Sequence, residues 1–181
     1  LLAQKIAAGE VIDRPQSVIR ELLDNAIDSG ASEIDVWLRE GGNTSIIVQD
    51  NGSGMDRDNL ALCWLSHATS KLHEEADLQA IRTMGFRGEA LSSIASVARL
   101  AIFSAREQGG ACLEVQGGSQ IRLEAWAGRR GTRVEVHNLF FNLPARLQFL
   151  KRASSEFLLC KTTCIEKALA HPGIAFRVFN E

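Results

Sequence analysis

The chain has 181 residues, 45% hydrophobic and 23% charged, with a formal net charge of −2. That balance excludes a disordered or fibrous chain and fits one compact domain with a sizeable core. No apolar run approaches the roughly 20 residues that cross a bilayer, and no charged start leads into an apolar stretch, so a cytoplasmic protein with no membrane partner is expected. Residues 1–119 carry 10 Lys+Arg against 17 Asp+Glu, whereas residues 120–181 carry 10 against 5. The basic end suits a polyanion, but so small a net charge argues against tight autonomous binding to DNA, and any DNA contact is expected to be weak or shared. Cys63, Cys112, Cys160 and Cys164 lack C-x-x-C spacing, which points to small apolar residues rather than a zinc site or a disulfide framework. The chain does not begin with methionine and closes on a strand-like stretch, Ala175 to Phe179, which together suggest a fragment.

Along the chain, Val18, Ile19, Leu22, Leu23, Ala26 and Ile27 recur at helical spacing, with Pro15 suited to the first turn and Gly30 to a left-handed cap. Opposite that apolar stripe Glu21, Asn25 and Asp28 stack along one line. Ile34, Val36 and Leu38 alternate as in a half-buried strand, Gly41-Gly42-Asn43 supplies a turn, and residues 46–50 give a second strand. Residues 56–65 read as a helix capped by Asp56. The stretch 66–88, polar and small around a short apolar segment, is expected to be a mobile lid-like loop. A helix over 89–97 follows, then strands over 100–104, 111–115, 121–125 and 132–137, and helices over 144–150 and 155–170, the last ended by Pro172-Gly173. Helices before, between and after a run of strands predict an α+β sandwich with a largely antiparallel sheet.

Three groups of residues carry candidate chemistry. Glu21 and Asn25, one helical turn apart, offer a base for a water and an amide oxygen for a hard cation, although the same line also fits a solvated helix face. Asp50 ends a strand and leads into Asn51-Gly52-Ser53-Gly54. A carboxylate fixed there accepts a hydrogen bond from an exocyclic amine such as adenine's, and the glycines leave room for a base, although an ordinary Asp-Asn-Gly turn fits equally well. Gly85-Phe86-Arg87-Gly88-Glu89 opens a helix, whose free amides and dipole cradle anions. It is no P-loop, since the chain has no G-x-x-x-x-G-K-[ST]. Thr69, Ser70 and Lys71 add hydroxyls and an ammonium within the lid. Thr132, after Gly131 at a strand start, offers a hydroxyl to the same base, although a threonine in a strand ordinarily needs no such role and would not stand out by itself.

Taken in order, Glu21 with Asn25, Asp50-x-Gly-x-Gly, Gly85 to Leu91 and Gly131-Thr132 resemble the motif set of the ATPases shared by gyrase B, histidine kinases, the large heat-shock chaperone and MutL. Gly85-Phe86-Arg87-Gly88-Glu89-Ala90-Leu91 is similar to the MutL family signature, and Ile6-Ala7-Ala8-Gly9-Glu10-Val11 and His67-Ala68-Thr69-Ser70-Lys71 resemble further blocks of that family, the first of these two suggesting a bacterial member over a diverged eukaryotic paralogue. The resemblance implies a two-layer α/β sandwich of the GHKL (Bergerat) type, with a largely antiparallel mixed sheet covered by helices on one face, and a single ATPase domain over residues 1–181. It implies ATP and Mg²⁺ as cofactors, Glu21 as general base, Asn25 as the Mg²⁺ ligand, Asp50 as the adenine anchor, and Gly52, Gly54 and Thr132 in support of the base. Asp28, Asn51 and Met55 fall in the same motifs as nucleotide-binding candidates. Ser70, Lys71, Arg87 and Gly88 would line phosphates and lid, with Thr69, Gly85, Phe86 and Glu89 beside them. The implied activity is slow ATP hydrolysis, with lid closure bringing two amino-terminal domains together, as a homodimer in a bacterial protein. A MutS-type mismatch recognition protein and, weakly, DNA are the implied partners. Asp24 stands where the family commonly has glutamate and Leu143 where it has threonine; the family also completes its site with a lysine from a following domain. A nucleotide-dependent interaction module with negligible hydrolysis is the alternative, whereas a kinase is disfavoured because no phospho-accepting histidine box surrounds His67, His73, His137 or His171.

Overall fold

The computed structural model describes residues 12–65 and 90–181. Helix α1 spans Pro15–Asp28, with proline at its first position, where no intrahelical N–H is needed. Its buried face holds Val18, Ile19, Leu22, Leu23 and Ala26 of the predicted stripe, while Ile27 at its end is only partly buried. The helix stops at Ser29 and turns out through Gly30 at φ 75°. Strand β1 (Glu33–Arg39) follows, then a single 3-10 turn over Glu40–Gly42 and β2 (Ser45–Asp50), paired antiparallel from Ile34 with Asp50 to Arg39 with Ser45.

Helix α2 covers Arg57–Leu62, shorter than the sequence pattern suggests. Asp56 caps it as expected, its carboxylate accepting the Asn59 N–H at 2.8 Å. Leu60 is its one buried residue, and beyond it the chain tightens into a turn in which the Leu65 N–H bonds the Leu62 carbonyl. The expected lid over residues 66–88 lies outside the described residues. Helix α3 (Ala90–Val97) precedes β3 (Arg99–Arg106), β4 (Gly109–Gln116), β5 (Ser119–Trp126) and β6 (Gly131–His137), each extending its predicted core by one or two residues at an end. After α4 (Pro144–Phe149) comes α5 (Ala153–Ala170), which starts two residues before the apolar pattern because the buried Glu156 carboxylate accepts the Lys151 N–H and holds the entry. Strand β7 (Ala175–Asn180) ends the chain.

Seven strands form one sheet in the order β5-β4-β3-β6-β2-β1-β7, with β7 parallel to β1 and every other pair antiparallel. Alternate residues explain how it is covered. Ile34, Val36, Leu38, Ile46, Val48, Leu100, Ile102, Leu113, Val134 and Val136 share one core with the apolar stripe of α1, Ile94 of α3 and Cys160 and Cys164 of α5. Helices α1, α2, α3 and α5 therefore meet one face of the sheet, where each such large side chain stabilises by roughly 1.5–3 kcal/mol. On the opposite face Trp37 stacks on Phe179 at 5.3 Å, and the Arg133 guanidinium lies 5.5 Å from the Trp37 ring centre. The α+β sandwich is as expected. Cys112, Cys160 and Cys164 are buried thiols, and burial pushes those of Cys160 and Cys164 up to about 12 and about 11.

Candidate functional site

The site grows from the ends of two neighbouring strands. Asp50, the last residue of β2, pairs directly with Thr132 at the start of β6, and both share the register parity of Val48 and Val134, which faces the helices. The Asp50 Oδ1 accepts the Gly52 N–H at 2.8 Å. The Ser29 hydroxyl, 3.3 Å from Asp50 and 2.7 Å from the Ala26 carbonyl, shares its one proton between them. Burial nevertheless dominates and pushes the Asp50 carboxyl up to about 6, against the lowering by Gly52, Ser29 and the Thr132 backbone. A desolvated carboxylate of this kind gains from any donor brought to it.

The loop after Asp50 is pressed against neighbouring backbone. Gly54 sits at φ 66°, and a Cβ there would lie 2.0 Å from the Ala105 carbonyl oxygen. Only glycine fits, because the left-handed conformation and the close approach both exclude a side chain. Next to it the Met55 N–H donates to Ser104 Oγ at 2.8 Å, and Ser104 lies 2.8 Å from the Thr132 hydroxyl. Two arginines hold the loop from outside: Arg130 donates to the Gly52 carbonyl at 3.1 Å and Arg106 to that of Gly54 at 3.4 Å. Arg106 also pairs with Asp56 at 3.1 Å, which joins the loop to the cap of α2.

Helix α1 supplies the remaining wall. Its C-terminal neighbour Ser29 touches Asp50, so Asp28 lies beside the strand end and Asn25 and Glu21 lie successively further up the helix. All three are half-buried, in contrast to a fully solvated face. The structure thus joins Asp50, Gly52, Gly54, Met55 and Thr132 in one hydrogen-bonded cluster beside the line of Glu21, Asn25 and Asp28. Asn51 points elsewhere: its Oδ1 accepts the N–H groups of Ser32 and Glu33 at 2.9 and 3.0 Å and its Nδ2 donates to Ser32 Oγ. Its side chain ties the loop to the start of β1. Thr69, Ser70, Lys71, Gly85, Phe86, Arg87, Gly88 and Glu89 lie outside the described residues.

Ser29, Ser104, Arg106 and Arg130 were not singled out by the sequence reading. Ser104 carries a signal there, being the one hydroxyl in the alternating series Leu100, Ile102, Ser104. A hard divalent cation fits the oxygen donors of α1, an amide flanked by two carboxylates. Among the described residues no group of three or more His, Cys, Asp or Glu forms a metal cage, so such an ion would draw most of its ligands from water and a bound anion.

Residues 13–135 match the model of the histidine kinase-, DNA gyrase B-, and HSP90-like ATPase family. The chain is 49% identical to the DNA mismatch repair protein MutL of Geobacillus kaustophilus, over 100% of this chain and 29% of that protein. Against MutL of Listeria monocytogenes it is 48% identical over 97% of its length and 30% of the relative's. The chain therefore spans under a third of the curated relatives it matches. Among solved structures it resembles the Aquifex aeolicus MutL ATPase domain complexed with ADP, at TM-score 0.74 and 31% identity over 94% of this chain and 61% of that one. The N-terminal domain of a DNA repair protein superposes at TM-score 0.83 and 33% identity, covering 98% and 51% of the two chains. With the helix-backed sheet, the strand-end aspartate and the glycine loop already in place, these likenesses show that the chain belongs to the histidine kinase-, DNA gyrase B- and HSP90-like ATPase family, on its bacterial MutL branch.

Proposed function

We propose that this chain is a single ATPase domain that binds ATP with Mg²⁺ and hydrolyses it slowly within a MutL-type mismatch repair protein. The observation that carries the reading is the half-buried pair of Asp50 and Thr132, set opposite each other at the strand ends beside a loop that only glycine can form. Asp50 accepts the adenine amine, and Thr132, Gly52, Gly54 and Met55 bound the base. Asn25 holds the cation with its amide oxygen, with Asp28 beside it; when bound, Mg²⁺ supplies charge neutralisation at the phosphates. Glu21 takes a proton from the attacking water. Ser70, Lys71, Arg87 and Gly88, with Thr69, Gly85, Phe86 and Glu89 around them, are the groups proposed for phosphates and lid. The ADP bound by the Aquifex aeolicus relative supports a nucleotide here.

In the parent protein, ATP-driven lid closure would pair two such domains as a homodimer and couple recognition by a MutS-type partner to later repair steps, with DNA held weakly. No described helix is long and apolar enough to cross a membrane. Glu21→Ala tests turnover. Steady-state hydrolysis should fall about 100-fold or more while nucleotide affinity stays nearly unchanged, because a general base acts only in the transition state. Unchanged slow hydrolysis in the variant would favour the alternative, a nucleotide-dependent interaction module.

A further inference from the structure

We propose that Ser104 is a positioning residue that fixes the direction of the Thr132 hydroxyl and thereby makes the base pocket select a 6-amino purine over a 6-oxo purine. The inference rests on the nucleotide reading above. Ser104 is fully buried near the end of β3, directly opposite Thr132 in the β3–β6 pairing. Its Oγ meets three groups from two different segments: the Met55 N–H at 2.8 Å, the Thr132 hydroxyl at 2.8 Å and the Gly131 carbonyl at 3.2 Å.

Counting protons decides the polarity. A serine hydroxyl has one proton and two lone pairs. The Met55 N–H has only a proton to give and the Gly131 carbonyl only lone pairs, so these two contacts fix Ser104 as acceptor from one and donor to the other. Its second lone pair then takes the Thr132 proton, and every contact is satisfied. The opposite arrangement, with Ser104 donating to Thr132, gives up the bond to the Gly131 carbonyl and leaves one lone pair of the fully buried Ser104 unused, one hydrogen bond fewer in the cluster. With its proton committed to Ser104, Thr132 offers the ligand lone pairs alone.

The neighbouring Asp50 carboxylate is also an acceptor once ionised. Two acceptors side by side on the strand ends suit an exocyclic amine, which has two protons. A carbonyl at the same ring position would face lone pairs on both sides and leave the site's groups unpaired, the situation in which hydrogen-bonding sites discriminate strongly. Ser104 thus acts on the nucleotide only through Thr132.

The test compares ATP with inosine triphosphate, which differs at the 6-position without adding a 2-amino group. Dissociation constants for both are measured by titration with wild type, Ser104→Ala, Thr132→Val and the double variant, with melting temperatures alongside. Wild type should prefer ATP, and Ser104→Ala should shrink the ATP/ITP preference about tenfold, the worth of one lost oriented hydrogen bond. In the Thr132→Val background the same serine change should leave the preference unaltered. Ser104→Cys, whose thiol accepts weakly in the same volume, should fall between serine and alanine and serves if the alanine variant does not fold. An unchanged ratio in Ser104→Ala or Ser104→Cys, or an equal change with and without Thr132, overturns the proposal. Wild type that binds neither triphosphate overturns the nucleotide reading itself and this inference with it.

Discussion

Asp50 and Thr132 stand opposite each other across the β2–β6 ladder, so a carboxylate and a hydroxyl rise together on the helix-covered face of the sheet. Strand pairing alone brings them together across more than 80 intervening residues. Their setting makes the carboxylate costly to the free protein and useful to a bound one.

Burial holds the Asp50 carboxyl at about 6 in the folded chain, above its ordinary 3.8. A carboxyl raised in this way stabilises the fold most below pH about 4, and that contribution is lost as pH climbs to about 6. Asp50→Asn removes the cost of burying charge. Its melting temperature relative to wild type should therefore rise between pH 4 and 6, and at pH 7 to 8 the variant should be more stable by about 1–3 kcal/mol. ATP affinity of the wild type should fall below pH 6 as Asp50 takes up a proton. A stability difference flat across this range would contradict the assignment.

Gly54→Ala should damage fold and site together. The left-handed backbone costs an alanine about 1–2 kcal/mol, and the Cβ placed 2.0 Å from the Ala105 carbonyl forces the loop away. Nucleotide affinity should drop about tenfold or more. Gly173→Ala, where an added Cβ meets nothing within 4 Å, is the control and should leave both properties near wild type in the same thermal and titration measurements.

Arg106 and Arg130 hold the glycine loop through its carbonyl oxygens while their side chains stay about half exposed. Exposed contacts of this sort contribute about 0–1 kcal/mol each. Replacing both with alanine should scarcely change the melting temperature yet weaken ATP several-fold, because the loop samples other conformations. Hydrogen exchange at Gly52 and Gly54 should rise in the double variant, and unchanged exchange would show that the loop holds itself.

Helices α1 and α5 are tied by Lys167, which donates to Asp24 with both side chains largely buried. Asp24→Asn should cost about 1–3 kcal/mol in chemical denaturation and leave Glu21-dependent turnover intact. Asp24→Glu, the residue commonly found in the family, should retain most of the stability.

Much of this was legible in the sequence, and the exceptions have identifiable causes. Helix α1 is encoded locally, by its apolar spacing, Pro15 and Gly30, and the alternation of β1, β2, β3 and β6 marks which residues face the helices. Asp50 was readable as a candidate because it ends a strand and leads into two closely spaced glycines, whereas Thr132 stood out only through the family resemblance of Gly131-Thr132. Ser29 had no such mark and Ser104 only that of a lone hydroxyl in an apolar alternation, since their importance lies in what they touch at the helix end or across the sheet. The same holds for Asn51, whose amide is taken by Ser32 and Glu33, partners 18 to 19 residues away that no local pattern announces. Helix α2 fell short of its predicted end because its composition suits a helix beyond Leu62 but only Leu60 anchors it. The parallel placement of β7 on β1 depends on the path of α5 and has no counterpart in residue alternation.

The most direct test of the central claim is calorimetric titration of a non-hydrolysable ATP analogue with Mg²⁺ into this chain and its Asp50→Ala variant. The account predicts saturable binding near one nucleotide per chain in the wild type, and loss of that binding in a variant that still melts cooperatively. Equal affinity in the two proteins would contradict the assignment of Asp50 as the base anchor and, with it, the pocket described above.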